Sequence, residues 1–370
     1  MNKQYDYLIV GAGLFGSVCA HELSKSGYKC LVIDKRNHIG GNCYTEKIDD
    51  ITVYKYSGHI FHTNDEYVWR YINRYSKFSN YQHHLKVNYN NKIYSFPINL
   101  FTLNQIYGVI TPFDGQKFIN TNTDNDGNLE SWAIEHVGKE LYESFIKGYT
   151  EKQWGKPCNE LPSNIIKRIP IRLTYNDCYY NEKYQGIPVD GYTKIFNRML
   201  NNIEVKLDTD YFDNRDYFDN ISDKIIFTGN IDKFYNYQYG KLEYRSLYFH
   251  TQILPIDDFQ GVATMNYTSA NVPYTRIIEH KHFDNKNQNG TIITYEYSTE
   301  GDGNNDFYYP INDDKNNNIY NAYKDLTKLN NRVIIGGRIG GYTYCDMDKT
   351  IANALELVRK ETGCLKNLMN

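Results

Sequence analysis

The sequence predicts an α/β protein with a parallel nucleotide-binding sheet at its centre, and three stretches carry that prediction. The first is Tyr5-Asp-Tyr-Leu-Ile-Val-Gly11-Ala-Gly13-Leu-Phe15-Gly16, an apolar run breaking into a glycine turn. The second is an apolar-periodic stretch to Gly27 followed by Cys30-Leu-Val-Ile-Asp34. The third is Arg332-Val-Ile-Ile-Gly336-Gly337-Arg338, with the amphipathic stretch Asp346 to Arg359 behind it. Together they read as strand, glycine turn, helix, strand ending in an acid, and a closing strand–helix unit.

Each element has a physical reason. Gly11 permits the tight turn, Gly13 lets the backbone approach a pyrophosphate, and Gly16 lets helix and strand pack closely. The helix N-terminus then faces the phosphates. Asp34 lies 18 residues beyond Gly16, where a carboxylate can take ribose hydroxyls. The strand before the turn, the helix after it and the acid at this distance agree on a dinucleotide. With Ile39-Gly40-Gly41-Asn42 after the second strand, the stretch from Val10 to Asn42 resembles the FAD signature of glutathione-reductase- and amine-oxidase-type flavoproteins. In those the backbone passes the pyrophosphate a second time, and this favours FAD over a nicotinamide dinucleotide. At the other end, Asp346 is a natural helix N-cap, and Ile351, Ala354, Leu355 and Val358 form the apolar stripe. A helix N-terminus carries roughly half a positive charge, which suits the N1–C2=O edge of a reduced flavin. Arg338 could reach the same edge or a substrate phosphate.

The middle of the chain supplies the remaining elements. His59-Ile60-Phe61-His62-Thr63 follows an expected strand and precedes a helix from Glu66 to Tyr75. Two histidines three apart, with no third ligand suitably spaced, give no zinc site, so they are read as flavin neighbours that titrate near neutral pH. Val87 to Pro97 reads as a hairpin turning at Asn90-Asn91. Leu103 to Lys167 is largely helical in pattern, and the polar cluster Asn120 to Asn128 reads as an exposed loop. Trp154-Gly155-Lys-Pro157 marks a helix end and a mobile loop. Thr174 to Pro188 and Tyr244 to Tyr297 alternate in β fashion. Gly191 to Leu207 reads as a helix returning to a strand, and Lys224-Ile-Ile-Phe as another strand of the central sheet.

Composition closes off other classes. The net charge of −3 gives no general attraction to nucleic acid or membrane, so an anionic ligand must be held by local arginines. Seven cysteines, odd in number and never spaced C-x-x-C, argue against a disulfide framework and a zinc site. No stretch approaches the roughly 20 apolar residues of a membrane span. A cleaved leader would destroy the glycine turn, and the expectation is a cytoplasmic protein. Most of the 37 tyrosines reflect biased composition. Only those inside motifs are candidates for function.

The motifs together resemble the bacterial UDP-galactopyranose mutases over nearly the whole chain. They are the N-terminal FAD signature, His59-Ile-Phe-His62-Thr, Ser95-Phe-Pro-Ile-Asn99, Gly148-Tyr-Thr-Glu-Lys-Gln-Trp154-Gly and Arg168-Ile-Pro-Ile-Arg172. Tyr184-Gln-Gly-Ile-Pro188, Val272-Pro-Tyr-Thr-Arg276, Tyr308-Tyr309-Pro310 and Tyr342-Thr-Tyr344-Cys-Asp346-Met-Asp348 continue the order.

The resemblance implies interconversion of UDP-galactopyranose and UDP-galactofuranose. In that family reduced FAD attacks the anomeric carbon through N5, with no net redox change. It implies an α/β fold: a Rossmann-like FAD-binding domain from discontinuous segments (1–78, 189–243, 328–370), a helical-bundle insertion (98–170), and an antiparallel sheet domain (79–97, 171–188, 244–327). Arg172 and Arg276 fall on the family's diphosphate-clamping arginines, and forked guanidiniums suit that task better than lysine. With His62 they form the expected catalytic set. The cofactor set is Gly11, Gly13, Phe15, Gly16, Asp34, Lys35, Gly41, Asn42, His59, Ile60, Arg338, Asp346, Met347 and Thr350. Tyr309, Tyr344 and Tyr184 match substrate contacts, Tyr149 the residue stacking on uracil with Phe145 nearby, and Trp154 the mobile-loop tryptophan at the sugar. His83, Thr150, Arg245 and Asn266 complete the substrate set.

The implied partners are the two UDP-galactose forms and a second copy of the chain, with no nucleic acid and no membrane span. The implied role is to supply galactofuranose for cell-surface glycans. Ser57-Gly58 departs from the Gly-Pro or Gly-Ala common before His59, and Ile146 replaces an aromatic beside Phe145. A mutase for the N-acetylated sugar shares every motif. An amine-oxidase-like flavoenzyme would need neither Arg172 nor Arg276.

Overall fold

A computed structural model describes residues 3–120, 127–284, 289–301 and 306–363. The expected loop at Asn120 to Asn128 falls mostly outside them. The central sheet has five parallel strands in the order Val333–Ile335, Ser222–Phe227, Tyr5–Val10, Cys30–Ile33 and Glu204–Lys206. Its strands come from widely separated parts of the sequence. Strands such as Cys30–Ile33 are buried on both faces, which is why they read as unbroken apolar runs rather than alternating ones. Helices Leu14–Lys25 and Met347–Thr362 pack against each other over one face. The stripe Ile351, Ala354, Leu355 and Val358 is buried as its spacing requires.

A second sheet has seven strands, in the order Phe307–Pro310, Tyr244–Leu254, Thr291–Glu300, Arg276–Glu279, Thr264–Tyr267, Leu85–Tyr89 and Lys92–Phe96. It is antiparallel except where Thr264–Tyr267 runs parallel to Leu85–Tyr89. Two strands drawn from distant segments need no hairpin between them, so nothing in the local sequence announces that pairing. The hairpin Leu85–Phe96 does turn at Asn90 and Asn91, both with positive φ, as a two-residue Asn-Asn loop allows.

Helices Leu100–Tyr107, Leu129–Leu141 and Gly148–Trp154 close over the second sheet on a separate core. Between the last two, Tyr142–Lys147 forms a π-helix. The widened turn, a form met often at functional sites, carries Phe145 and Ile146.

One expectation fails. Thr174 to Pro188 holds only the short strand Tyr184–Gly186, paired to Phe61–Thr63. The carbonyl of Cys178 and the side chain of Asn181 are instead taken by Arg172, so this segment folds on itself rather than onto a ladder. The helix end expected at Trp154-Gly155 is present, with Gly155 as its left-handed cap at φ 67°. Trp154 ends a helix that is firmly tied down. Lys152 Nζ donates to the carbonyls of Tyr267, Ser269, Val272 and Tyr274 at 2.7–3.1 Å, and Arg245 donates to those of Lys152 and Gln153. The irregular segment beside the site is 168–183. No helix among the described residues is long and apolar enough to cross a membrane.

Candidate active site

A cavity of about 920 Å³ runs from the glycine turn of the first sheet to the face of the second. Its first half is built from backbone. A Cβ on Gly16 would sit 2.0 Å from the Gly11 carbonyl oxygen, and one on Gly41 would sit 3.0 Å from the Cα of Gly13. The two glycine turns therefore touch, with Gly41 at φ 55°, and leave a cradle that side chains would fill. Asp34 closes the cradle by accepting from the Ala12 and Arg36 amides at 2.7 and 2.9 Å.

Helix Leu14–Lys25 starts at Gly13 with no side-chain cap and no acid in its first turn. The side chain of Asp346 makes no capping bond to helix Met347–Thr362 either. Both helix starts line the cavity and turn N–H groups toward an anionic ligand, although in the second the Asp348 side chain already accepts from the Lys349 amide. The expected cofactor residues Phe15, Lys35, Asn42, His59, Ile60, Arg338, Met347 and Thr350 line the same space. A dinucleotide fits this donor set.

Arg36, which the sequence reading passed over, fixes the rim. It stacks on Tyr56 at 4.5 Å and bonds Asn42 and Asp306. Lys35 also meets Asp306, at 2.8 Å. The signal for Arg36 was only its place directly after the acid-ending strand.

The second half of the cavity is built from side chains. Arg276 leaves strand Arg276–Glu279 and bonds the Tyr149 hydroxyl. Burial opposes its charge, but Glu296 beneath it, at 3.5 Å from Nε, more than offsets that and holds it cationic. Arg338 lies over the rings of Tyr344 and Tyr309 at 4.5 and 5.6 Å. Arg168 lies over Tyr344 at 5.0 Å. Tyr309 and Tyr344 are themselves stacked at 5.7 Å, and Trp154 approaches Tyr309 at 6.1 Å. Three guanidiniums thus converge on one cavity wall with aromatic faces between them. Burial raises the Tyr309 hydroxyl above its ordinary pKa, so it stays a proton donor.

Two histidines in the cavity are neutral. Burial pushes His59 down to about 4, and its Nδ1 lies 2.8 Å from the Ser57 carbonyl, so Nδ1 carries the proton. Burial, with Arg276 next, pushes His83 down to about 3. His62 stacks on Tyr180 at 3.8 Å and lies 3.4 Å from Glu182. Thr150, Phe145, Tyr149 and Asn266 all line this half. The Oδ1 of Asn266, the Oε1 of Gln153 and the Nε of Arg338 are buried with no hydrogen-bond partner among the described residues. Buried polar groups normally have one, and such orphans are what a ligand would satisfy.

Three expected substrate residues stand elsewhere. Arg172 lies outside the cavity, bonded to Cys178 and Asn181 of its own segment, while Arg168 four residues earlier is inside. Arg245 is spent on the end of helix Gly148–Trp154 and on Ser298 Oγ at 3.1 Å. Its task is that of a cation at a helix C-terminus. Tyr184 faces outward and stacks on Trp69 at 5.4 Å, and Tyr180 takes the inward position. Arg168 was within a quoted motif, but spacing alone cannot say which of two arginines on an irregular segment turns inward. Outside the cavity, Asp258, Glu279 and His282 come together, yet the Glu279 carboxylate already accepts from the Phe259 and Gln260 amides and the Thr291 hydroxyl.

The comparisons with known proteins bear on the family and the fold. The family model described as UDP-galactopyranose mutase matches residues 144–344, and one described as an NAD(P)-binding Rossmann-like domain matches 9–75. A Klebsiella pneumoniae protein named a probable UDP-galactopyranose mutase is 40% identical, over 96% of this chain and 94% of its own. The dTDP-fucopyranose mutase of Escherichia coli is 38% identical, over 96% and 97%. A solved structure titled as a reduced UDP-galactopyranose mutase shares the fold, with a TM-score of 0.75 at 13% identity over 97% of this chain and 94% of its own.

Proposed function

Because the chain belongs to the UDP-galactopyranose mutase family, we propose that it interconverts UDP-galactopyranose and UDP-galactofuranose. The cofactor is a flavin, and the proposal takes it as FAD held by the glycine cradle, Asp34 and the two uncapped helix starts. When bound and reduced, FAD supplies the nucleophile N5 for the anomeric carbon, so the reaction needs no net oxidant. The protein's own task is then to bind, orient and neutralise charge.

The observation that carries the reading is the group of three arginines on the wall of a cavity continuous with the cradle. As the anomeric carbon–oxygen bond breaks, negative charge grows on the diphosphate. Arg276 and its neighbours stabilise that charge more than they stabilise the ground state. Tyr309 and Tyr344 donate to phosphate oxygens. Phe145 and Tyr149 supply aromatic surface for the base, and an orphaned acceptor such as that of Asn266 or Gln153 suits its single N3–H. Trp154, Thr150 and His62 border the sugar and limit water.

Arg172 joins the diphosphate site when segment 168–183 turns inward over bound substrate, exchanging its bonds to Cys178 and Asn181 for phosphate oxygens. The same reading takes the protein as a cytoplasmic homodimer that supplies galactofuranose for cell-surface glycans. The exposed apolar cluster of Phe101, Ile110, Phe113 and Tyr175 supports a second copy as partner. A thymidine diphosphate 6-deoxyhexose is a second reading, favoured by the Escherichia coli relative that matches over the same length. Three arginines in the cavity disfavour a cationic amine.

The test is product chromatography after dithionite-reduced and oxidised protein are each incubated with UDP-galactofuranose. Conversion to UDP-galactopyranose by the reduced sample alone is expected. Equal turnover by the oxidised protein, or oxygen consumption in step with substrate, would sink the reading. A strong preference for a dTDP sugar would favour the second reading.

A further inference from the structure

A string of polar contacts joins the diphosphate wall of the cavity to the turn that carries His59. Arg276 and Glu296 face each other across neighbouring strands of the seven-stranded sheet. Glu296 is fully buried, with Oε1 3.5 Å from Arg276 Nε. Its other oxygen, Oε2, accepts from the Ser57 hydroxyl at 2.5 Å. The Ser57 carbonyl in turn accepts from His59 Nδ1 at 2.8 Å. His59 feels Arg276, Arg338 and Asp346 together, which places it where the two halves of the cavity meet.

The backbone of Ser57 makes this contact informative. Its φ is +80°, a left-handed value that costs a side-chain-bearing residue roughly 1 kcal/mol or more and a glycine almost nothing. A serine held there needs a compensating interaction, and its one described side-chain bond is to Glu296. Without it, Glu296 would be a buried carboxylate whose remaining contacts are Arg276 and Thr275 Oγ1, each at 3.5 Å. Buried charges are costly unless paired and hydrogen-bonded. Gly58, the next residue, packs close to Phe283, where an added Cβ would lie 2.8 Å from the ring.

We propose that Ser57 and Glu296 are a pair of positioning residues that couple the diphosphate arginine Arg276 to the His59 turn on the cofactor side. This deepens the proposed function and rests on its reading of Arg276 as a diphosphate clamp. Occupying Arg276 draws on Glu296, and Ser57 passes the change in its orientation to the turn beneath His59.

The variant that separates this from a packing role is Ser57→Gly, because glycine relieves the positive φ while deleting the hydroxyl. A merely structural serine would show that change in stability alone, with turnover and the flavin's response to ligand as in the parent. The expected result is full FAD content and turnover down about tenfold with little change in KM, the scale of one lost charge-assisted hydrogen bond. The melting temperature should be no higher than the parent's, because relief of the positive φ offsets only part of the lost bond to Glu296. The readout independent of turnover is the flavin absorbance change when UDP is titrated onto the oxidised holoenzyme. UDP should bind Ser57→Gly and Glu296→Gln, with the absorbance change at least halved in both. Ser57→Gly with the parent's turnover and the parent's UDP-induced absorbance change overturns the coupling. If the parent holoenzyme does not bind UDP at all, the diphosphate reading of Arg276 itself has failed, and the coupling falls with it.

Discussion

The two halves of the cavity are made of different material. The cofactor half is backbone from one stretch, Gly11 to Asn42, closed by one helix start from the far end of the chain. The substrate half is side chains from at least five segments: 62–83, 145–154, 168–180, 266–276 and 309–344. Glycine spacing fixes backbone shape locally, so the first half can be read directly from the sequence. The second half depends on which way each side chain turns, and that is settled by partners far away in the chain. Substitutions should therefore act in different ways. In the first half they remove the cofactor, and in the second they lower turnover with the cofactor in place.

The largest expected effect is in the cradle. Gly16→Ala would force a methyl group to within 2.0 Å of the Gly11 carbonyl, which is backbone and cannot swing aside. Purified variant should lack bound flavin, as measured by absorbance after denaturation. A fully yellow Gly16→Ala protein would show that the two turns are looser than the backbone contact implies.

Arg172 comes next. If segment 168–183 closes over substrate, Arg172→Ala should lower turnover by about 10²–10³-fold, the scale of one electrostatic donor, with FAD content intact. Parent-like turnover would mean that Arg172 keeps its bonds to Cys178 and Asn181 and that Arg168 alone serves this segment. Arg245→Met should behave otherwise. Its loss removes the charged donor from the Gln153 carbonyl, which keeps only the Ser298 hydroxyl, so urea unfolding should show about 1–3 kcal/mol less stability. UDP affinity should barely change, and a large loss of affinity would return Arg245 to the substrate site.

The smallest effect concerns acid stability. His280 is fully buried between the Tyr54 amide, which donates to Nδ1, and Thr294 Oγ1 at 2.8 Å from Nε2. Burial lowers its pKa from 6.5 to about 3. The unfolded chain therefore takes the proton first as the pH falls. Its contribution is fully present above pH 6.5 and is lost on the way down to about pH 3, at roughly 1.4 kcal/mol per pH unit. His280→Gln should flatten the stability profile between pH 7 and 5 by up to that slope. Identical profiles for the two proteins would contradict the neutral assignment.

What was legible follows the same division. The five-stranded sheet, the helix that begins after Asp346 and the Asn90-Asn91 hairpin were all visible, since periodicity, helix-start and turn residues act over a few positions. The π-helix under Phe145 was not, because its widened turn depends on packing in the second core. The parallel pairing of Thr264–Tyr267 with Leu85–Tyr89 was not, because no local signal joins segments so far apart. Among site residues, Arg276 was found through its motif. Arg168 and Tyr180 were missed in favour of Arg172 and Tyr184, four residues away in each case, on a segment whose irregular backbone obeys no period.

The most direct measurement is the turnover of dithionite-reduced Arg276→Ala on UDP-galactofuranose, with FAD content determined on the same sample. The account predicts full FAD occupancy and turnover reduced by about 10²–10³-fold, partly restored in Arg276→Lys, which keeps the charge but loses the fork. Near-normal turnover by Arg276→Ala, or a loss of activity that merely tracks lost FAD, would contradict it.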